Sequence, residues 1–161
     1  MTRLVPLRPE AFDAFFEAAV AAYAEDNVRA GRWPAPDAPQ LARAESGRLL
    51  ADGVATPGQQ LFEIEDETAG AVGYLWLATL SRGSSRGAYV YQIIVRAEHR
   101  RQGHARAALQ QAAALAAAQG HDSLALHVFA HNEAARQLYR SLGFELVSLN
   151  LALPLAAPAA D

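Results

Sequence analysis

Apolar residues fall into two kinds of run along this chain, and their succession predicts most of the fold. Residues 10–25 carry them at helical spacing behind Pro9, a residue suited to a helix start, and residues from about 38 to 51 do so again before Gly53. Between these runs, residues 29–39 hold Gly31, Pro34, Pro36 and Pro39, which predicts a loop. Shorter runs at 2–8, 60–65 and 71–80 predict strands, the last two joined as a hairpin through Asp66, Glu67 and Gly70. Ser81 to Gly87 is polar and glycine-rich and predicts a turn. Residues 88–95, AYVYQIIV, are β-branched and aromatic with Gln92 as the polar exception, a strong strand pattern. A helix is expected over 103–118, a strand over 124–129, a short helix over 132–141 that Gly143 can terminate, and a last strand over 144–153. The tail PLAAPAAD, residues 154–161, reads as frayed.

This order, an antiparallel first half followed by two strand–helix crossovers, predicts an α/β (α+β) fold: a mixed, mostly antiparallel sheet covered by helices. With 161 residues, no internal repeat and no long linker, the chain reads as a single domain over 1–161. Apolar residues make up 52% and charged residues 19%, the balance of an ordinary globular protein. The net charge of −3 argues against nucleic acid or an anionic membrane as the main partner. There are no cysteines, which excludes disulfides, a thiolate metal site and a cysteine nucleophile. MTRLVPLRPEAF does not resemble a secretory signal, and no run is long and apolar enough to span a membrane, so the expected location is the cytoplasm.

The chemistry concentrates in two places. In VRAEHRRQGHAR, residues 95–106, a strand ends, a charged turn follows and a helix begins near Gly103. The first turn of a helix presents unpaired N–H groups and partial positive charge, and so binds phosphate. Gly103 lets an anion approach the backbone, Ala105 is small for the same reason, and Arg100, Arg101 and Arg106 add positive charge. Neither G-x-x-x-x-G-K-[ST] nor G-x-G-x-x-G after a strand is present. Further on, Asn132 stands where a helix cap belongs, and Tyr139 lies nearly two turns later on the same face. Leu138 and Leu142 form an apolar pair toward the core, with Arg136 and Arg140 on a solvated side. Read singly, the loop is equally an exposed basic turn, and Tyr139 is more readily a core residue with a wet hydroxyl.

Together these residues resemble the GNAT superfamily of acyl-CoA-dependent N-acetyltransferases. R-R-Q-G-H-A at 100–105 is similar to its [Q/R]-x-x-G-x-[G/A] motif, and N-E-A-A-R-Q-L-Y-R-S-L-G-F at 132–144 to its N-x-x-A-x-x-x-Y-x-x-x-G-F signature. The likeness is close over 88–150, and earlier residues match in the order of elements. It implies a central sheet splayed between the fourth and fifth strands, with helices on both faces. It implies acetyl-CoA as co-substrate, its pyrophosphate held by Arg100, Arg101, Gln102, Gly103, His104, Ala105 and Arg106. Ile93, Ile94 and Val95 would line the pantetheine arm, with the backbone of Ile94 and Val95 pairing with it and the Ile94 N–H polarising the thioester carbonyl. Asn132 would contact CoA or fix its loop, and Tyr139 would protonate the departing thiolate as general acid.

The implied reaction is transfer of an acetyl group to a primary amine by direct attack in a ternary complex, since no covalent nucleophile is in evidence. The strand at 88–95 lacks the glutamate that many relatives place there, so the base is a water relay or a carboxylate such as Glu25, Asp26 or Glu65. The acceptor, a small-molecule or peptide amine, is expected beside Tyr23, Glu25, Asp26, Trp33 and Gln92, where carboxylates and aromatic faces attract a cation. His104 is expected to be solvated, His127 to occupy a strand face and His131 to border the site. Their spacing supports no metal. A non-catalytic acyl-CoA-binding module would use the same loop but would not need Tyr139. A plain phosphate- or nucleotide-binding domain would need neither Asn132 nor Tyr139. A homodimer is compatible with all three readings.

Overall fold

The structure is a computed structural model that describes residues 1–82, 85–153 and 155. Five strands, β1 (Thr2–Pro6), β2 (Gln59–Asp66), β3 (Gly70–Arg82), β4 (Ser85–Val95) and β5 (Ser123–Leu126), form one sheet in chain order. The first four pair antiparallel, and β4 pairs with β5 in parallel. Four helices accompany them: α1 (Phe12–Arg29), α2 (Ala38–Leu49), α3 (His104–Ala118) and α4 (Glu133–Ser141).

Alternation along the strands divides the sheet into two apolar faces. Phe62, Ile64, Leu75, Leu77 and Val90 meet the helix face of α3 formed by Ala108, Leu109, Ala112 and Ala116, with Leu138, Tyr139 and Leu142 of α4 alongside. On the opposite face Leu61, Tyr74 and Trp76 pack on Phe15 and Ala19 of α1. Alanines four residues apart on α3 let it lie close to the strands. The α2 helix packs on α1 through Ala38 and Ala42, which meet Val20 and Ala24.

The β3–β4 pairing contains one irregularity that shapes the rest. Trp76 pairs with Gln92 and Leu77 with Val90, which leaves Tyr91 as an extra residue on β4. Such a bulge bends a strand and increases its twist. The pairing of β4 with β5 ends at the same point, at Val90 and Leu126, so residues 91–95 have an open edge on the β5 side. This is the splay expected between the fourth and fifth strands.

Several boundaries differ from the sequence expectation. The first helix runs on to Arg29, and the polar stretch after Leu80 is mostly strand, with Arg82 paired to Ser85. β5 stops at Leu126, because residues 127–129 leave the sheet where β4 turns away. The expected strand over 144–153 is not formed. Leu146, Val147, Leu149, Leu151 and Leu153 are exposed, and no neighbouring strand takes up their backbone. Of the tail over 154–161, all but Leu155 lies outside the described residues.

At Gly73 of β3 the backbone of β4 leaves no room for a side chain: a Cβ there would lie 2.0 Å from the Ile94 carbonyl oxygen. Only a residue without a Cβ fits such a contact. Gly73→Ala should lower stability by about 1–3 kcal/mol, as overpacking does, and this should appear as a fall in the urea midpoint. An unchanged midpoint would contradict this strand register.

Candidate active site

The loop between β4 and α3 is bent by two left-handed residues, Arg101 at φ 61 and Gly103 at φ 90. The first is strained for a side chain-bearing residue, a cost that structures retain mainly where geometry serves function. Gly103 is the N-cap of α3, and no side chain caps the helix there. The first backbone bond is from Ala107 N–H to the Gly103 carbonyl at 3.0 Å, so the preceding amides are free to meet an anion. Arg100 Nε donates to the Val95 carbonyl at 3.0 Å and Gln102 Nε2 to the Glu98 carbonyl at 3.1 Å, which ties the loop back to the end of β4. Arg106 reaches Ser141 Oγ at 2.7 Å and joins α3 to α4.

His104 corrects an expectation. It is buried rather than solvated, its Nδ1 lies 2.8 Å from Thr2 Oγ1, and it fixes the start of α3 against β1. Val95, Arg100, Arg101, Gly103, His104, Ala105 and Arg106, with Ala134 and Leu138 of α4, surround a cavity of about 290 Å³. The phosphate-type loop, the free end of β4 and the Tyr-bearing helix thus share one cleft.

Asn132 is the N-cap of α4: its Oδ1 accepts from Ala135 N–H at 3.3 Å. Tyr139 packs among the core residues beside α3 and meets the Phe144 ring at 5.7 Å. Burial raises the Tyr139 hydroxyl above the usual phenol range, and the charge of Asp26 adds to this. The phenol therefore keeps its proton at neutral pH.

The open edge of β4 has a defined polarity. Arg96 N–H donates to the Val72 carbonyl at 2.9 Å. Backbone groups alternate along a strand, so the N–H groups of Ile94 and Gln92 also turn toward β3, while those of Ile93 and Val95 face the cleft. The expected use of the Ile94 backbone is corrected accordingly, because it is committed to β3.

On the α1 side the bulge brings Tyr91 into line with Trp76, at 4.9 Å between ring centroids, and Tyr89, at 5.0 Å. Of the residues expected around the acceptor, Gln92 lies on this stretch and is half-buried. Asp26 faces the loop after β5, with its Oδ1 3.6 Å from His131 Nε2. Glu25 is exposed on α1. Tyr23 and Trp33 pack edge to face at 5.2 Å, and the Tyr23 hydroxyl donates to Glu45 at 2.9 Å, so both brace α1 against α2. Glu65, considered as a base, is instead paired with Arg3 at 2.9 Å on the β1–β2 side of the sheet.

Arg32 and Phe129, neither of them expected from the sequence, also gather here. The Arg32 guanidinium lies 5.8 Å from the Phe129 ring centre, which stacks on His131 at 5.6 Å and meets His127 edge-on at 4.7 Å. The alternation His127, Phe129, His131 was the available signal: residues two apart in extended chain share a side. Partial burial and the Arg32 charge push His127 below the usual imidazole range, and Asp26 opposes them.

The sequence pattern of the Acetyltransferase (GNAT) family matches residues 14–144. The chain belongs to the GNAT acetyltransferase family. It is 33% identical over 142 residues to the uncharacterized N-acetyltransferase YycN of Bacillus subtilis, covering 88% of this chain and 91% of that one. It is 28% identical over 148 residues to the N-acetyltransferase YdgE of the same organism, covering 92% and 94%. The crystal structure of YycN superposes with a TM-score of 0.91 at 30% identity, over 98% of this chain and all of that one. Among the described residues of this GNAT chain, no group of three or more metal-binding side chains is gathered.

Asn132→Ala removes the α4 cap, and should cost about 1 kcal/mol, read by urea denaturation, with Asn132→Asp retaining most of the stability. Equal losses in both variants would mean that Asn132 does not act as a cap.

Proposed function

We propose that this protein transfers an acetyl group from acetyl-CoA to a primary amine by direct attack. The observation that carries the reading is the convergence on one cleft of an uncapped α3 start, the unpaired end of β4 and the helix bearing Tyr139. The names of the B. subtilis relatives as N-acetyltransferases support it.

The free amides at the start of α3, with Arg100, Arg101 and Arg106, would hold the pyrophosphate of CoA. Gly103 presents no side chain to it, and a Cβ there would meet open space in the protein alone. The pantetheine arm would add along the open edge of β4, with the N–H groups of Ile93 and Val95 as donors. One of these donors would stabilise the oxyanion that develops on the thioester carbonyl. The amine nitrogen attacks that carbonyl carbon, the C–S bond breaks, and the thiolate takes the Tyr139 proton. The acceptor approaches from the α1 side, past Tyr89, Tyr91 and Gln92. The class of acceptor is a small-molecule or peptide amine.

Acetyl-CoA at about 100 times its Kd should stabilise the native state by about 2.7 kcal/mol and raise Tm by several degrees in a thermal melt. No shift at millimolar acetyl-CoA would sink this reading. Tyr139→Phe should lower kcat about 100-fold, within the range of general-acid effects, while the acetyl-CoA-induced rise in Tm is retained. Unchanged turnover in a thiol-release assay would remove Tyr139 from the acid role.

A further inference from the structure

Direct attack requires an amine without its proton, and no carboxylate lies on β4 to take it. Glu65 is ion-paired with Arg3 at the far side of the sheet. A pair from two different elements meets instead between α1 and the loop that precedes α4. Asp26 projects from the C-terminal half of α1, and His131 immediately precedes the Asn132 cap of α4. Asp26 Oδ1 lies 3.6 Å from His131 Nε2, within ion-pair range and slightly beyond a hydrogen bond. His131 Nε2 is buried and has no hydrogen-bond partner. Its ring is held flat against Phe129, with 10° between the planes.

We propose that His131, oriented by Asp26, is the base that accepts the amine proton; this rests on the acetyltransferase reading above. A carboxylate beside Nε2 selects the tautomer with its proton there, and leaves the Nδ1 lone pair free. Nδ1 makes no hydrogen bond among the described residues and is not among the buried unpartnered atoms. His131 adjoins the Asn132 cap of the helix that bears Tyr139, and the charge of Asp26 adds to the rise of the Tyr139 phenol. Asp26 from α1 is the charged group against His131; Arg32 from the α1–α2 connection and His127 from its own loop lie against Phe129, the ring on which His131 stacks, and Tyr139 of α4 lies within the field of Asp26. The protons balance. The ammonium gives one proton to Nδ1, which passes it to solvent. The neutral amine forms the C–N bond, the C–S bond breaks, the thiolate takes the Tyr139 proton, and the surplus proton on nitrogen restores Tyr139.

The test measures CoA thiol release with spermidine, phenethylamine and a lysine peptide as acceptors, from about pH 5 to about pH 8, where imidazole changes charge. The wild type should lose rate on the acid side. His131→Ala should lower kcat about 100-fold, abolish that acid limb and regain rate with free imidazole, while its acetyl-CoA thermal shift persists. Asp26→Asn should lower kcat while the acetyl-CoA thermal shift persists, since the imidazole loses the carboxylate that orients it. His127→Ala should retain the limb whatever its effect on KM. A limb that survives in His131→Ala, or that vanishes in His127→Ala instead, overturns the assignment alone. Transfer to none of the three amines by the wild type overturns the functional reading and the assignment together. Nitrogen-15 NMR of the His131 ring gives a test independent of turnover: the neutral ring should carry its proton on Nε2 in the wild type and lose that preference in Asp26→Asn, and an unchanged tautomer overturns the pairing.

Discussion

One extra residue in β4 governs this molecule. Tyr91 has no partner on β3, and β5 ends its pairing with β4 beside it. A continuous sheet would close the space between the two strands with hydrogen bonds. The bulge instead turns residues 91–95 away and leaves an open edge of backbone donors and acceptors, which water or an extended ligand must satisfy. The same bulge puts Tyr91 against Trp76 on the α1 face, while Ile93 and Val95 pack toward α3. One local irregularity therefore gives both sides of the cleft their lining.

The two helices at the cleft depend on that opening. α3 starts directly beyond β4, and its uncapped amides face the cavity because Arg100 and His104 fasten the loop to Val95 and to Thr2. Strain at Arg101 is sustained by these anchors. α4 closes the other side, joined to α3 by the Arg106–Ser141 contact. Burial among these elements raises the Tyr139 phenol, which keeps its proton on at neutral pH.

Some of this was legible in the sequence and some was not, for a physical reason. Gly103 before α3 and Asn132 before α4 act on groups within three or four residues, so their pattern is local and survives in one dimension. The bulge depends on which β3 residue stands opposite, and AYVYQIIV carries no mark of it. His104 reads as a solvated member of a charged loop until Thr2, 102 residues away, arrives beside it. Asp26 and His131 likewise meet only through the packing of α1 against the loop after β5. The alternating leucines of 149–153 show the opposite failure. Their spacing has the period of a strand, but a strand needs a neighbour, and none of the described strands pairs with them.

On the reading proposed above, the open edge of β4 and the start of α3 form a single site for acetyl-CoA. Amide chemical-shift mapping of the labelled protein during titration with acetyl-CoA tests it most directly. The largest shifts should fall at Ile93 and Val95 on β4 and from Arg101 to Arg106 on the loop and helix, with β1 and β2 little changed beyond Thr2, which His104 touches. Shifts that cluster away from β4 and α3, or none at saturating acetyl-CoA, would contradict it.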